Sequence, residues 1–150
     1  DVKAITLAAA FEISRRVESK PFDRKKTINS PEDVAKYYIN KLKDESIEKF
    51  YTLLLNSANQ IIREVLISKG SINESIVHPR EVFKIAITES AASIILLHNH
   101  PSGNPMPSHP DKEITKRLMK SGKTLGIEIL DHIIIAGASY TSMKSEGLMD

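Results

Sequence analysis

The 150-residue chain contains no cysteine and no tryptophan. Without cysteine there is no disulfide, no Cys-ligated zinc and no thiol nucleophile. Aromatic residues are scarce, with four Phe and four Tyr, so the core must be built mainly from Ile, Leu, Val and Ala. An excess of one charge is missing too: 21 basic against 19 acidic residues give a net +2. That balance argues neither for nucleic acid nor for an anionic membrane as a partner. No apolar run approaches the roughly 20 residues of a membrane span, and no secretory leader is visible. These absences lead us to expect a cytoplasmic protein. The chain starts at Asp1 without methionine, and we expect sequence upstream of it. The length suits one domain with a modest core.

Periodicity supplies the elements. Residues 3–18 predict a helix with Ala4, Leu7, Ala8 and Phe11 on one stripe. Residues 19–30 are charged and lack apolar periodicity, as in a linker or arm, and the basic run at 23–27 reads as solvated. Ser30, Pro31 and Asp33 form a helix start, followed by Val34, Tyr37, Tyr38 and Leu42 on an inward face. Residues 48–56 and 61–70, joined by a turn at 57–60, predict a hairpin. A helix over 78–90 has Pro79 in its first turn, and His78 and Glu81 at its start read as capping residues. The segment 92–100 predicts a buried strand. An amphipathic helix over 111–126 places Ile114, Leu118 and Leu125 inward, with Gly126 as C-cap. The tail reads as one or two strands turning near Gly137. Strand pairs mixed with helical crossovers indicate the α/β class with a mixed sheet.

The segment "IILLHNHPSGNPMPSHPD" (94–111) carries the chemistry. In a strand, residues i and i+2 share a face about 6.5 Å apart. His98 and His100 would therefore point the same way, with Asn99 opposite. Two imidazoles so placed can converge on one ion, and a chain reversal would bring Asp111 over as an oxygen ligand. Pro101, Pro105, Pro107 and Pro110 reduce the entropy lost in holding that reversal. Spacing alone leaves a second reading open. Ser108-x-x-Asp111 is also a capping box, and the histidines would then be polar residues at a strand end. The two readings are compatible, because a cap that fixes a helix start also fixes a ligand placed there. The three letters HNH do not indicate an HNH nuclease, whose residues are dispersed through a ββα-metal unit. The two-His-one-carboxylate iron triad uses the same ligand set, but the mixed helix and strand order differs from the all-β fold that usually carries it. Asp131-His132 at a strand entrance reads as a buried hydrogen-bonding pair, or as support for a ligand from behind. His109 is expected to be exposed.

His98-x-His100, seven residues, Ser108, two residues and Asp111 match the pattern H-x-H-x7-S-x2-D. This resembles the JAMM (MPN+) metalloprotease motif. The flanks "VHPREVFK" (77–84), "ILLHNHPSGNPMPS" (95–108) and "LDHIIIAG" (130–137) look like the bacterial RadC family. The resemblance covers roughly residues 28–150. It implies a JAB/MPN-type, cytidine deaminase-like fold: a mixed β-sheet flanked by helices. It implies one Zn2+ per chain on His98, His100 and Asp111, and hydrolysis of an amide, peptide or isopeptide bond. Ser108 would donate to the oxyanion. A glutamate near the start of the strand after the first helix would serve as general base. Glu48 is the assignment, with Glu45 and Glu64 as fallbacks.

Residues 1–27 resemble the segment C-terminal to a helix-hairpin-helix module in full-length RadC proteins, leaving 28–150 as the JAMM/MPN domain. RadC proteins carry a DNA-repair label. A rival expectation is therefore a DNA-associated accessory protein whose metal site is not proteolytic, with DNA contacted through the upstream module. A metal-free scaffold ranks last, since all three ligand positions and the serine are present. The substrate expected is a peptide or protein of unknown identity.

Overall fold

The computed structural model of the chain describes residues 2–18, 26–70 and 77–149. Along the chain run α1 (Val2–Glu18), α2 (Pro31–Leu42), β1 (Lys49–Leu55), β2 (Ile61–Lys69), α3 (Pro79–Thr88), β3 (Ser93–Asn99), α4 (His109–Leu125), β4 (Glu128–Ala136) and β5 (Ser139–Ser142). The five strands form one sheet in the order β2-β1-β3-β4-β5. Only β3 and β4 pair parallel, across the α4 crossover, and the other neighbours are antiparallel. This is the mixed α/β sheet expected.

Alternation along the central strands divides the core in two. Phe50, Leu54, Ile94, Leu96 and Ile134 face α3 and α4, packing on Val82, Phe83, Ile114 and Leu118. Tyr51, Leu53, Leu55, Ile95, Leu97, Ile133 and Ile135 face α2, packing on Val34, Tyr38 and Leu42. A sheet covered on both faces explains why β3 reads as an unbroken apolar run.

The helix starts obey the local chemistry expected. Ser30 caps α2, and the Asp33 carboxylate accepts from the Asn29 and Ser30 N–H groups. His78 Nδ1 accepts from the Arg80 N–H at 3.1 Å to cap α3. At the far end of α4, Gly126 takes the left-handed conformation, with φ +70°. Gly122 is required for a different reason: a Cβ there would lie 2.4 Å from the Ile127 carbonyl oxygen. The hairpin, the buried strand and the turn at Gly137 all form where expected.

Several expectations need correction or limit. Leu125 is 47% exposed rather than inward, because the turn at Gly126 sends Ile127 into the core in its place. Tyr37 is only half-buried, set edge-on against Tyr38. The stripe of α1 is exposed, with Leu7 at 59% and Phe11 at 71%. Most of the proposed linker, residues 19–25, lies outside the described residues. Its end does not: Ile28 is buried, and its N–H donates to the Asn59 carbonyl. Lys26 of the basic run pairs with Asp33.

Candidate metal centre

The site lies at the C-terminal end of β3, where the sheet meets the start of α4. His98 is on the α4 face of β3 by alternation with Ile94 and Leu96, and His100 comes two residues later. The His98 ring is fully buried and stacks on Phe50 of β1, with centroids 5.9 Å apart. His100 is oriented by the proline loop: its Nδ1–H donates to the Asn104 carbonyl at 2.7 Å, which leaves Nε2 toward His98.

Asp111 reaches the same point from α4. Ser108 is the N-cap, and the capping box is complete. The Asp111 carboxylate accepts from the Ser108 N–H at 2.7 Å, while the Ser108 hydroxyl accepts from the Asp111 N–H at 3.3 Å. The same hydroxyl donates to Asp111 Oδ2 at 2.6 Å. Capping therefore fixes the carboxylate against the histidines rather than competing with that placement.

The three acceptor groups form a compact triangle, in which the two carboxylate oxygens of Asp111 each face a different histidine. His98 Nε2 is 2.9 Å from His100 Nε2 and 3.2 Å from Asp111 Oδ1, and His100 Nε2 is 3.3 Å from Asp111 Oδ2. Tetrahedral zinc with bonds of about 2.0–2.1 Å has ligand–ligand edges of about 3.3 Å. The donor set and its spacing thus fit a metal ion. Two imidazoles and one carboxylate also leave a fourth position open, as catalytic zinc sites require.

Electrostatics favour a cation here. Burial alone would push the Asp111 carboxyl up, but hydrogen bonds with His100, His98 and Ser108 outweigh it and hold the group well below its usual range. Asp111 is therefore anionic, and buried. Burial pushes His98 down, partly offset by Asp111. The Asp111 contact pushes His100 up, against its own partial burial. Neutral His98 presents a lone pair instead of repelling an arriving ion.

Of the three glutamates, Glu48 acts electrostatically on the histidines. Phe50 lies opposite His98 in the β1–β3 register, and Glu48 stands one residue before β1, at that end of the strand. Its charge acts on both His98 and His100. Asn99, on the opposite side of β3, holds the chain at either flank of Glu48. Its carboxamide accepts from the Lys49 N–H at 2.8 Å and donates to the Ile47 carbonyl at 3.1 Å. Glu45 instead pairs with Lys49 at 2.6 Å. Glu64 is bound to Tyr38 and Lys41 on the α2 face.

Other polar residues fall outside the triangle. His109 is exposed in the first turn of α4, and Glu81 is exposed beside Arg80. Asp131 accepts from the Ser142 hydroxyl and from the His132 and Lys144 N–H groups, tying β4 to β5. His132 stands directly behind the site, its Nε2 2.7 Å from His98 Nδ1. Thr115, beside it, is not singled out by the sequence. Its one signal there is a polar residue inside the buried stripe Asp111, Ile114, Thr115, Leu118 of an amphipathic helix.

Residues 28–148 match the RadC-like JAB domain. The chain belongs to this family. The chain is 51% identical over 147 residues to a UPF0758 protein of Methanosarcina mazei, covering 98% of this chain and 64% of that protein. A UPF0758 protein of Desulforamulus reducens is 49% identical over 148 residues, covering 99% of this chain and 65% of its own length. One from Bacillus cereus is 50% identical over 145 residues, covering 97% and 64%. The chain thus spans slightly less than two thirds of these relatives. No helix among the described residues is long and apolar enough to cross a membrane.

Proposed function

We propose that this RadC-like domain is a zinc-dependent hydrolase of amide bonds, acting on a peptide or isopeptide. The observation that carries the proposal is the triangle of His98 Nε2, His100 Nε2 and the buried Asp111 carboxylate: the two nitrogens are 2.9 Å apart, and the two carboxylate oxygens lie 3.2 and 3.3 Å from one histidine each. These three residues would hold the ion. Bound zinc supplies a Lewis acid and a water acidified to a pKa of about 7.

The chain supplies the rest. Glu48, whose charge acts on both histidines, accepts the proton of the attacking water and returns it to the leaving amine, a role worth about 10²–10⁴-fold. Ser108 donates to the oxygen that gains charge as the carbonyl becomes tetrahedral. Its hydroxyl proton is directed at Asp111 Oδ2 in the present arrangement. Ser108 must therefore rotate away from the carboxylate as substrate arrives.

Metal analysis of the purified protein, with zinc offered, is the test. The expected result is one zinc per chain in the wild type and in Glu48→Gln, with turnover of the latter down by about 10²–10⁴-fold. A well-folded wild type that takes up no zinc overturns the proposal.

A further inference from the structure

Behind the triangle runs a closed hydrogen-bonded path that the amide-hydrolase mechanism does not use. His98 Nδ1 is 2.7 Å from His132 Nε2. His132 Nδ1 is 2.6 Å from Thr115 Oγ1, and that hydroxyl is 2.6 Å from the Asp111 carbonyl oxygen, one helical turn back. Thr115 and both rings are buried, and His132 is 0% exposed. The path therefore begins at one corner of the triangle and ends on the backbone of another.

Its polarity comes from counting hydrogens. If His98 gives its Nε2 lone pair to an ion, its one hydrogen sits on Nδ1 and must be donated. His132 Nε2 is then the acceptor. A neutral His132, as full burial requires, carries its own hydrogen on Nδ1 and donates to Thr115. The threonine hydroxyl has a single hydrogen, and the Asp111 carbonyl can only accept it. Each donor meets an acceptor all the way round. The opposite polarity would place a hydrogen on His98 Nε2, pointing into the triangle.

We propose that His132 and Thr115 are positioning residues that lock His98 in the Nδ1–H tautomer and tie it to the Asp111 turn of α4. The role rests on the metal reading above. A metal-bound imidazole commonly donates its second N–H to a carboxylate, carbonyl or water, and loss of that partner costs about 10–100-fold in metal affinity. Here the partner is a second imidazole, itself oriented by a hydroxyl. Phe50 packs edge-on against His132, with centroids 5.5 Å apart, and helps to keep that ring in place.

The test is zinc affinity by competition with a chromophoric chelator, together with long-range 1H–15N spectra of the histidines in the zinc-loaded wild type. His132→Phe keeps the ring volume and removes the acceptor, and should weaken zinc binding about 10–100-fold. His132→Gln restores an acceptor near the Nε2 position and should recover much of the loss. Thr115→Val should weaken binding by less, and Thr115→Ser should restore it. The spectra should show hydrogens on Nδ1 of both His98 and His132. A folded His132→Phe protein with wild-type affinity overturns the relay while leaving the metal reading intact, as does a hydrogen on His132 Nε2. If His132→Phe does not fold, the wild-type spectra decide alone. A wild type that binds no zinc removes the metal reading itself, and this role with it.

Discussion

The sheet carries a polar cluster on each face, and the two are built on opposite terms. On the α2 face, the Glu64 carboxylate meets the Lys41 ammonium and the Tyr38 hydroxyl, with Lys41 also lying 5.1 Å from the Tyr51 ring centroid. Its charge is matched by a fixed cation. On the α4 face, the Asp111 carboxylate meets two imidazoles and a serine. Its partners are lone-pair donors, held with a path of buried hydrogen bonds behind them. A half-buried pair that already contains its cation has nothing further to bind. A buried anion surrounded by imidazoles is complementary to an ion from outside.

The widest separation between the faces should appear in metal uptake. His98→Ala removes one corner of the triangle and should abolish zinc binding, taking the content from one per chain to none. Glu64→Gln, on the other face, should leave the content unchanged. Atomic emission analysis of both variants checks this, and zinc retained by His98→Ala would dissolve the distinction between the two clusters.

Ser108→Ala comes next. It removes the hydroxyl that caps α4 and that we assign to the oxyanion. Turnover should fall by about 10²–10³-fold, or roughly 2.7–4 kcal/mol. Loss of the cap alone should cost about 1 kcal/mol of stability. Zinc should remain, since the three ligand groups are untouched. A rate loss matched by zinc loss would show the serine acting only through Asp111.

How much of the molecule is legible in its sequence differs by type of interaction. Strands, caps and the proline loop are written locally: Ser30, His78 and Ser108 each cap the helix next after them in the chain. The triangle is legible because His98, His100 and Asp111 lie within fourteen positions of one another, on a strand end and a helix start. The path behind it is legible only in part: Asp131-His132 reads as a hydrogen-bonding pair or a support from behind, whereas Thr115 and the joining of the two are not written in the sequence. It depends on β4 pairing parallel to β3, with Leu96 opposite His132, and on α4 crossing above both. No spacing rule encodes that juxtaposition. Leu125 departs from its pattern for the same kind of reason, because a left-handed turn one residue later decides which side chain enters the core.

Acid should separate the faces as well. Burial holds His98 down and His132 well down, so both fold as neutral rings. The unfolded chain takes up these protons below pH about 6.5. More protons are then bound by the unfolded state, and stability falls as pH falls, by at most about 1.4 kcal/mol per pH unit per histidine. His100, pushed up by Asp111, contributes with the opposite sign. Its share is full below the unfolded value and is lost as pH rises through its folded one. With two rings against one, chelator-treated protein should unfold at lower urea at pH 5.5 than at pH 7.5. An equal or higher midpoint at pH 5.5 would contradict neutral burial of the pair.

The smallest effect belongs to the α2 face and is the sharpest control. Lys41→Met keeps most of the aliphatic stem and removes the charge beside Glu64. The two side chains are 32% and 26% exposed, so solvent screens the pair and can hydrate the carboxylate left behind. The expected cost is below about 1 kcal/mol, read as a small drop in the urea midpoint. Tyr38 continues to donate to Glu64, which limits the loss further. Zinc affinity should not move, because the sheet and its apolar layers separate Lys41 from the triangle. A change in zinc affinity on this substitution would mean that the two faces communicate through β1 and β3, and that the contrast between a closed and an open cluster is too simple.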